Sequence, residues 1–173
     1  TGLEGNYTTR AGRVQAIYRS AMYYFLRSLG INAPGATKRV PASIWSAPRE
    51  AVLGFLQAMF TADGTVNLVA SKGLCTVRLA SSEPELLREV QQLLANFGIV
   101  SKLLLRRRAG KKMMPDGHGG LKEYAYRDQY ELIIARENRD RFIKTIGFMI
   151  PAKQQKAERW INCLLAGQDL THR

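Results

Sequence analysis

Residues 51–66 read AVLGFLQAMFTADGTV, and the fold turns on how this stretch is read. Val52, Phe55, Leu56, Met59 and Phe60 recur at helical spacing, which predicts a helix with one apolar face. Gly54, Ala58 and Ala62 repeat every four residues and so form a bare stripe along one side. Glycine costs helix stability, so the stripe predicts close approach of another backbone. Ser46 is the expected N-cap, with Pro48 in the first turn. Gly64 suits the left-handed residue that follows a helix. Asp63 is the odd residue, because an acid at the negative end of a helix is disfavoured by roughly 0.3–1 kcal/mol. Two readings stand on the residues alone: a hard-oxygen site for a divalent cation, or an ordinary Asp-Gly turn.

The chain has 173 residues, enough for one domain or slightly more, and its apolar fraction of 46% supports a core. Lys and Arg exceed Asp and Glu by 12 charges, which points to a polyanionic partner, nucleic acid before membrane surface. No apolar run reaches the ~18 residues of a membrane span, and no basic amphipathic helix favours a membrane surface. Cys75 and Cys163 lack metal-ligand spacing and fit reduced thiols, so a cytoplasmic location without a signal peptide is expected. His118 and His172 lie in Gly-rich and terminal contexts, which argues against a histidine triad or a zinc site. The chain opens on Thr1, as expected of a piece of a longer chain.

Outward from the central stretch, residues 1–12 have little periodicity. A helix is predicted from about Arg13 to Leu29, closed by Gly30, and residues 31–48 form a connector with three prolines and the pair Lys38-Arg39. Thr65–Ser71 and Leu74–Ala80 read as strands joined at Lys72-Gly73. Ser82 and Glu85 form a capping box before Leu86, Leu87, Val90, Leu93, Leu94 and Phe97, and that helix ends at Gly98. Ile99–Arg108 reads as a strand, residues 109–122 as a long hairpin loop, and Tyr124–Ala135 as the return strand. A helix from about Asn138 to Ile146 ends at Gly147. Pro151 introduces a last helix, about Lys153–Ala166, with Ala157, Trp160, Ile161, Leu164 and Leu165 inward.

From Arg49 the order is αββαββα, an α+β unit whose helices cover one face of a four-stranded antiparallel sheet. The other face and its edges carry Asn67, Lys72, Thr76, Arg78, Lys102, Arg106 and Arg108, with Arg107, Lys111, Lys112 and Arg127 nearby. A basic two-stranded ribbon suits the DNA major groove, about 12 Å wide. A solvated polar face is the competing reading.

At this point the chain resembles the LAGLIDADG (dodecapeptide) homing endonucleases, especially those carried within inteins. Leu56-Gln57-Ala58-Met59-Phe60-Thr61-Ala62-Asp63-Gly64 lies on the naming motif, with Leu56, Ala62, Asp63 and Gly64 identical and Ala58 small where the family has glycine. Thr37-Lys38-Arg39-Val40-Pro41 resembles the family's basic segment upstream of the second motif. Ser81-Ser82 through Ile99 resembles the helix after it, and Ile146-Gly147-Phe148 with Lys153 resembles the end of the repeat.

The resemblance implies the αββαββα fold preceded by a helical segment, with residues 1–48 as the tail of a preceding unit and 49–173 as the unit itself. It implies two motif helices side by side on the Gly54/Ala58/Ala62 stripe, each bringing one Asp to a shared centre. Asp63 and the Ala62 carbonyl would hold Mg²⁺ (Mn²⁺ or Ca²⁺ in its place), with Lys153 and Lys38 beside the reacting phosphates. The implied partner is double-stranded DNA, with a homodimer or a second LAGLIDADG unit completing the site.

The chain also departs from the pattern. Thr61 stands at the motif's first acidic position, a single motif is present, and no splicing residues frame the chain. Alternative expectations are a LAGLIDADG-derived regulator or RNA-splicing maturase that binds without cutting, and an unrelated basic α+β protein.

Overall fold

The computed structural model describes residues 24–25, 27–28, 38–69, 74–115, 117 and 119–165, with side chains from 160 onward left aside. Two compact units divide at Ser46/Ala47. In the first, residues 24–25 and 27–28 are helical; the rest of the expected opening helix lies outside the described residues. The connector contains a short helix, α1 (Ala42–Trp45), that its irregular sequence did not foretell.

The second unit begins with α2 (Arg49–Ala62), followed by strands β1 (Gly64–Val69) and β2 (Leu74–Ser81). Next come α3 (Pro84–Ala95), β3 (Lys102–Arg107), β4 (Gly110–Pro115), β5 (Leu121–Tyr126), β6 (Gln129–Ala135), α4 (Arg136–Thr145) and α5 (Pro151–Leu165). Strands β1, β2, β6 and β3 form, in that order, a four-stranded antiparallel sheet. The α+β architecture and the antiparallel sheet are those expected.

Side chains alternate across this sheet. Val66, Val77 and Ile134 stand opposite one another on one face, as do Leu79 and Leu132. All five are buried, together with Leu87, Val90, Leu94 and Phe142 of the helices. From α2 this core receives Val52, Leu56 and Phe60, while Phe55 and Met59, also expected inside, are half-buried. Phe60 meets Phe142 at 4.6 Å between ring centroids, and Phe142 meets Phe148 at 5.7 Å. Arg139 is the one buried charge among the described residues; it bonds Asp140 at 2.7 Å and donates to the Cys75 carbonyl at 3.1 Å. Cys75 is a free thiol, and burial pushes its pKa up against the opposing pull of Arg139.

Several local expectations need correction. Pro48, not Ser46, is the N-cap of α2, and no side chain caps that end. The Ser82/Glu85 box does not form. Pro84 starts α3 one residue later than the box requires, Glu83 takes the N-cap position with its N–H on Ser81 Oγ (3.0 Å), and Glu85 pairs instead with Arg88. Gly64 is not left-handed; it opens β1. A Cβ there would lie 2.5 Å from the Phe60 carbonyl oxygen, so glycine is needed for close approach rather than for its φ. Gly98 and Gly147 do adopt positive φ, +69° and +64°, and close α3 and α4 as expected.

The expected loop at 109–122 is instead mostly a second, two-stranded sheet, β4 with β5. The expected single return strand breaks at Arg127-Asp128, where the Asp128 carboxylate accepts the Ala109 N–H and the Tyr130 hydroxyl. The Lys72-Gly73 turn lies outside the described residues. Among the described residues, no helix is long and apolar enough to cross a membrane.

Candidate active site and nucleic-acid surface

The last turn of α2 leaves carbonyls without helical partners. The Asp63 N–H returns to Met59 O at 3.0 Å. Lys153, in the first turn of α5, donates from Nζ to Phe60 O (2.9 Å), Thr61 O (3.0 Å) and Gly64 O. Its ammonium also sits 4.9 Å from the centroid of the Phe148 ring. Burial pushes the Lys153 pKa below the usual lysine range, and the Asp63 carboxylate pulls it partly back. The acid that looked misplaced at a helix C-terminus therefore has a cation beside it. Asp63 itself is exposed, as is Ala62.

The bend between α4 and α5 is tied to the same turn. Gln57 Nε2 donates to Ile146 O at 2.8 Å. The Thr61 hydroxyl donates to Gln57 O at 2.6 Å and accepts the Met149 N–H at 2.8 Å. Gln154 Oε1 accepts the Phe148 N–H at 2.9 Å. Gln57 was not singled out from the sequence, and Thr61 only as a departure from the family motif. Their spacing of four puts both on one helix side, but nothing local shows that a distant bend would meet them.

Asp63 and Lys153 are thus brought together. Lys38 is exposed and belongs to the first unit. Among the described residues no group of three or more His, Cys, Asp or Glu side chains could hold a metal ion. One exposed carboxylate next to one backbone carbonyl supplies half of a hard-oxygen set. Along the stripe Gly54, Ala58 and Ala62 are all exposed, and a Cβ built on Gly54 would meet nothing within 4 Å among the described residues.

The sheet register sorts the basic candidates. Thr65, Arg78, Ile133 and Lys102 stand in one row across the strands, and Asn67, Thr76 and Ala135 in the next. Asn67, Thr76, Arg78 and Lys102 therefore share the face opposite the core. Arg78 is not free there: it pairs with Glu131 at 3.1 Å and donates to Thr76 Oγ1 at 3.0 Å. Glu131 was missed because only the register reveals it.

Arg107 stacks on Tyr126, 4.3 Å from the ring centroid. Lys111 pairs with Glu123 at 2.9 Å and Arg127 with Glu83 at 3.3 Å, both in exposed settings. Lys102, Arg106, Arg108 and Lys112 are exposed and make no ion pair among the described residues. Lys72 lies outside them.

The second unit is thus an α+β fold, with a ribbon added between the third and fourth strands of its main sheet, in which an exposed acid ends a helix with an exposed small-residue side. Residues 50–147 match the model of the LAGLIDADG-like domain. The chain is 30% identical over 128 residues to the ribonucleoside-diphosphate reductase NrdEB subunit alpha of Bacillus subtilis, covering 73% of this chain and 12% of that protein. It is 32% identical over 119 residues to a DNA polymerase of Thermococcus sp. strain GE8 (69% and 6%), and 27% identical over 158 residues to a DNA polymerase of Thermococcus hydrothermalis (90% and 9%). The chain belongs to the LAGLIDADG homing-endonuclease family, as the sequence segments implied. It spans about an eighth or less of the length of these relatives.

Proposed function

We propose that this chain is one half of a site-specific, metal-dependent endonuclease acting on double-stranded DNA, of the kind carried within host proteins. The observation that carries the reading is the pairing of an exposed Asp63 with an exposed, unfilled Gly54/Ala58/Ala62 stripe on the same helix. A unit built this way presents a carboxylate and a docking face together. A second unit, a copy of this chain or the preceding part of a longer one, brings the matching aspartate. The embedded reading is supported by the relatives: a reductase subunit and DNA polymerases share a short segment but no named activity.

Asp63 and the Ala62 carbonyl are the groups that would hold Mg²⁺, with Mn²⁺ or Ca²⁺ as substitutes. When bound, such an ion acidifies the attacking water and stabilises the leaving oxygen of a phosphodiester. The residues of the chain supply the rest. Lys102, Arg106, Arg108 and Lys112 offer charge to phosphates, and Asn67, Thr76 and the Arg78–Glu131 pair offer hydrogen bonds to base edges. Lys38 remains a candidate phosphate-binding cation by its place in the family pattern.

The test is sedimentation of the purified chain with and without duplex DNA, followed by incubation with Mg²⁺ and a library of duplex sites. Association in pairs on duplex with double-strand cutting is expected. Binding without cutting would favour the regulator or maturase reading, and a monomer that binds no duplex would overturn the proposal.

A further inference from the structure

We infer that Lys153 is a positioning residue, a built-in cation that fixes the end of α2 and so sets where Asp63 and the Ala62 carbonyl point. The inference rests on the proposal that Asp63 holds the metal, and it assigns Lys153 a role different from direct contact with the reacting phosphate.

An ammonium has three N–H donors and no acceptor. All three have partners here: the carbonyls of Phe60, Thr61 and Gly64. With its donors committed and no lone pair to offer, Lys153 neither accepts a proton nor reaches a phosphate oxygen while this arrangement holds. Its positive charge lies at the negative end of the helix macrodipole, where a cation is favoured.

The choice of carbonyls matters. Met59 O is used by the Asp63 N–H, and Phe60 O and Thr61 O by Lys153. Of the four carbonyls that end α2, only Ala62 O receives no hydrogen bond among the described residues. It adjoins the exposed carboxylate. Lys153 therefore occupies the inner carbonyls and leaves the Ala62 oxygen, next to the exposed Asp63, without a hydrogen bond among the described residues. Gly64 O, just past the acid, is held by the same ammonium, so the turn is gripped on both sides of Asp63.

Lys153 does not act alone. The Thr61 hydroxyl receives Met149 N–H and bonds Gln57 O, and Gln57 Nε2 holds Ile146 O. These contacts bring the start of α5 to the turn. Thr61 stands where the family motif has an acid, and an ionised carboxylate there could not donate to Gln57 O. The departure at Thr61 thus belongs to the same device as Lys153.

The test uses the full chain with Lys153→Met, Lys153→Arg and Thr61→Val. Amide hydrogen exchange is read at Asp63, Gly64 and Thr65 against Val77 and Leu132, and Mn²⁺ binding to the protein alone is titrated. In Lys153→Met, exchange at the three turn amides should rise about tenfold with the core amides unchanged. Mn²⁺ binding should weaken in parallel. Cleavage should fall about 100-fold, as expected of a misplaced group, with both limbs of the pH–rate profile kept.

Lys153→Arg should restore most of each loss. Thr61→Val, which keeps the ammonium, should show the same pattern in milder form, and it carries the test if Lys153→Met does not fold. Unchanged exchange at Asp63–Thr65 in both Lys153→Met and Thr61→Val would overturn the inference. So would a pH–rate profile that loses a limb in Lys153→Met. If wild-type chain cuts no duplex, the nuclease reading fails, while exchange and Mn²⁺ binding still decide the role of Lys153.

Discussion

Two glycines of the motif segment lie ten residues apart and are held there for opposite reasons. Gly64 is demanded by its own unit: any side chain would run into the Phe60 backbone, with its carbonyl oxygen 2.5 Å from a Cβ. Gly54 is demanded by nothing within the described residues, since a Cβ there meets open space. A glycine in an exposed helix interior costs about 0.8–1.0 kcal/mol relative to alanine. Among the described residues that cost has no internal return, which is intelligible if the return comes from a second unit. One side of α2 is therefore finished, with Leu56 and Phe60 fully buried, and the other side is an open surface that ends in Asp63.

This contrast can be broken in several ways. Phe60→Ala, on the finished side, removes a buried ring in contact with Phe142 and should cost about 3–5 kcal/mol in urea denaturation. Gly64→Ala should cost roughly 1–3 kcal/mol by forcing the helix end away from β1. Gly54→Ala should do the reverse and raise the stability of the isolated unit by about 0.8–1.0 kcal/mol. The same substitution should weaken pairing with a second unit, measured by sedimentation. A loss of unit stability in Gly54→Ala would mean that the stripe is not open.

The smallest effect belongs to the basic surface. Lys112→Ala should leave folding within about 0.5 kcal/mol and reduce the salt slope of duplex binding by about one. Lys111→Ala should change it less, because Lys111 is already paired with Glu123.

The sequence made much of this legible, and the reasons differ by element. Helix α2 and the inward face of α3 could be read because apolar spacing reports burial directly, as at Leu56, Phe60, Leu87, Val90 and Leu94. The bare stripe was legible because small residues every four positions have few other uses. The caps failed where proline intervened: Pro48 and Pro84 moved the helix starts past Ser46 and Ser82.

The β4–β5 ribbon was read as a loop because Gly and Lys are weak strand formers, and its exposed residues carry no alternation of burial to betray it. At the site, Asp63 stood out as an acid at the wrong end of a helix, and Lys153 through the family pattern. Thr61, Gln57 and Glu131 depend on contacts between segments far apart in the chain, and no local pattern encodes those.

The central claim is that Asp63, at the edge of an open helix face, is half of a phosphodiester-cleaving centre. Its most direct measurement is cleavage of a bound duplex in Mg²⁺ by wild type and Asp63→Asn side by side, with duplex affinity determined for both. The account predicts that Asp63→Asn binds duplex as well as wild type and cuts it at least about 1,000-fold more slowly, as expected when a metal-holding carboxylate is lost. Equal cutting by the two proteins would contradict it.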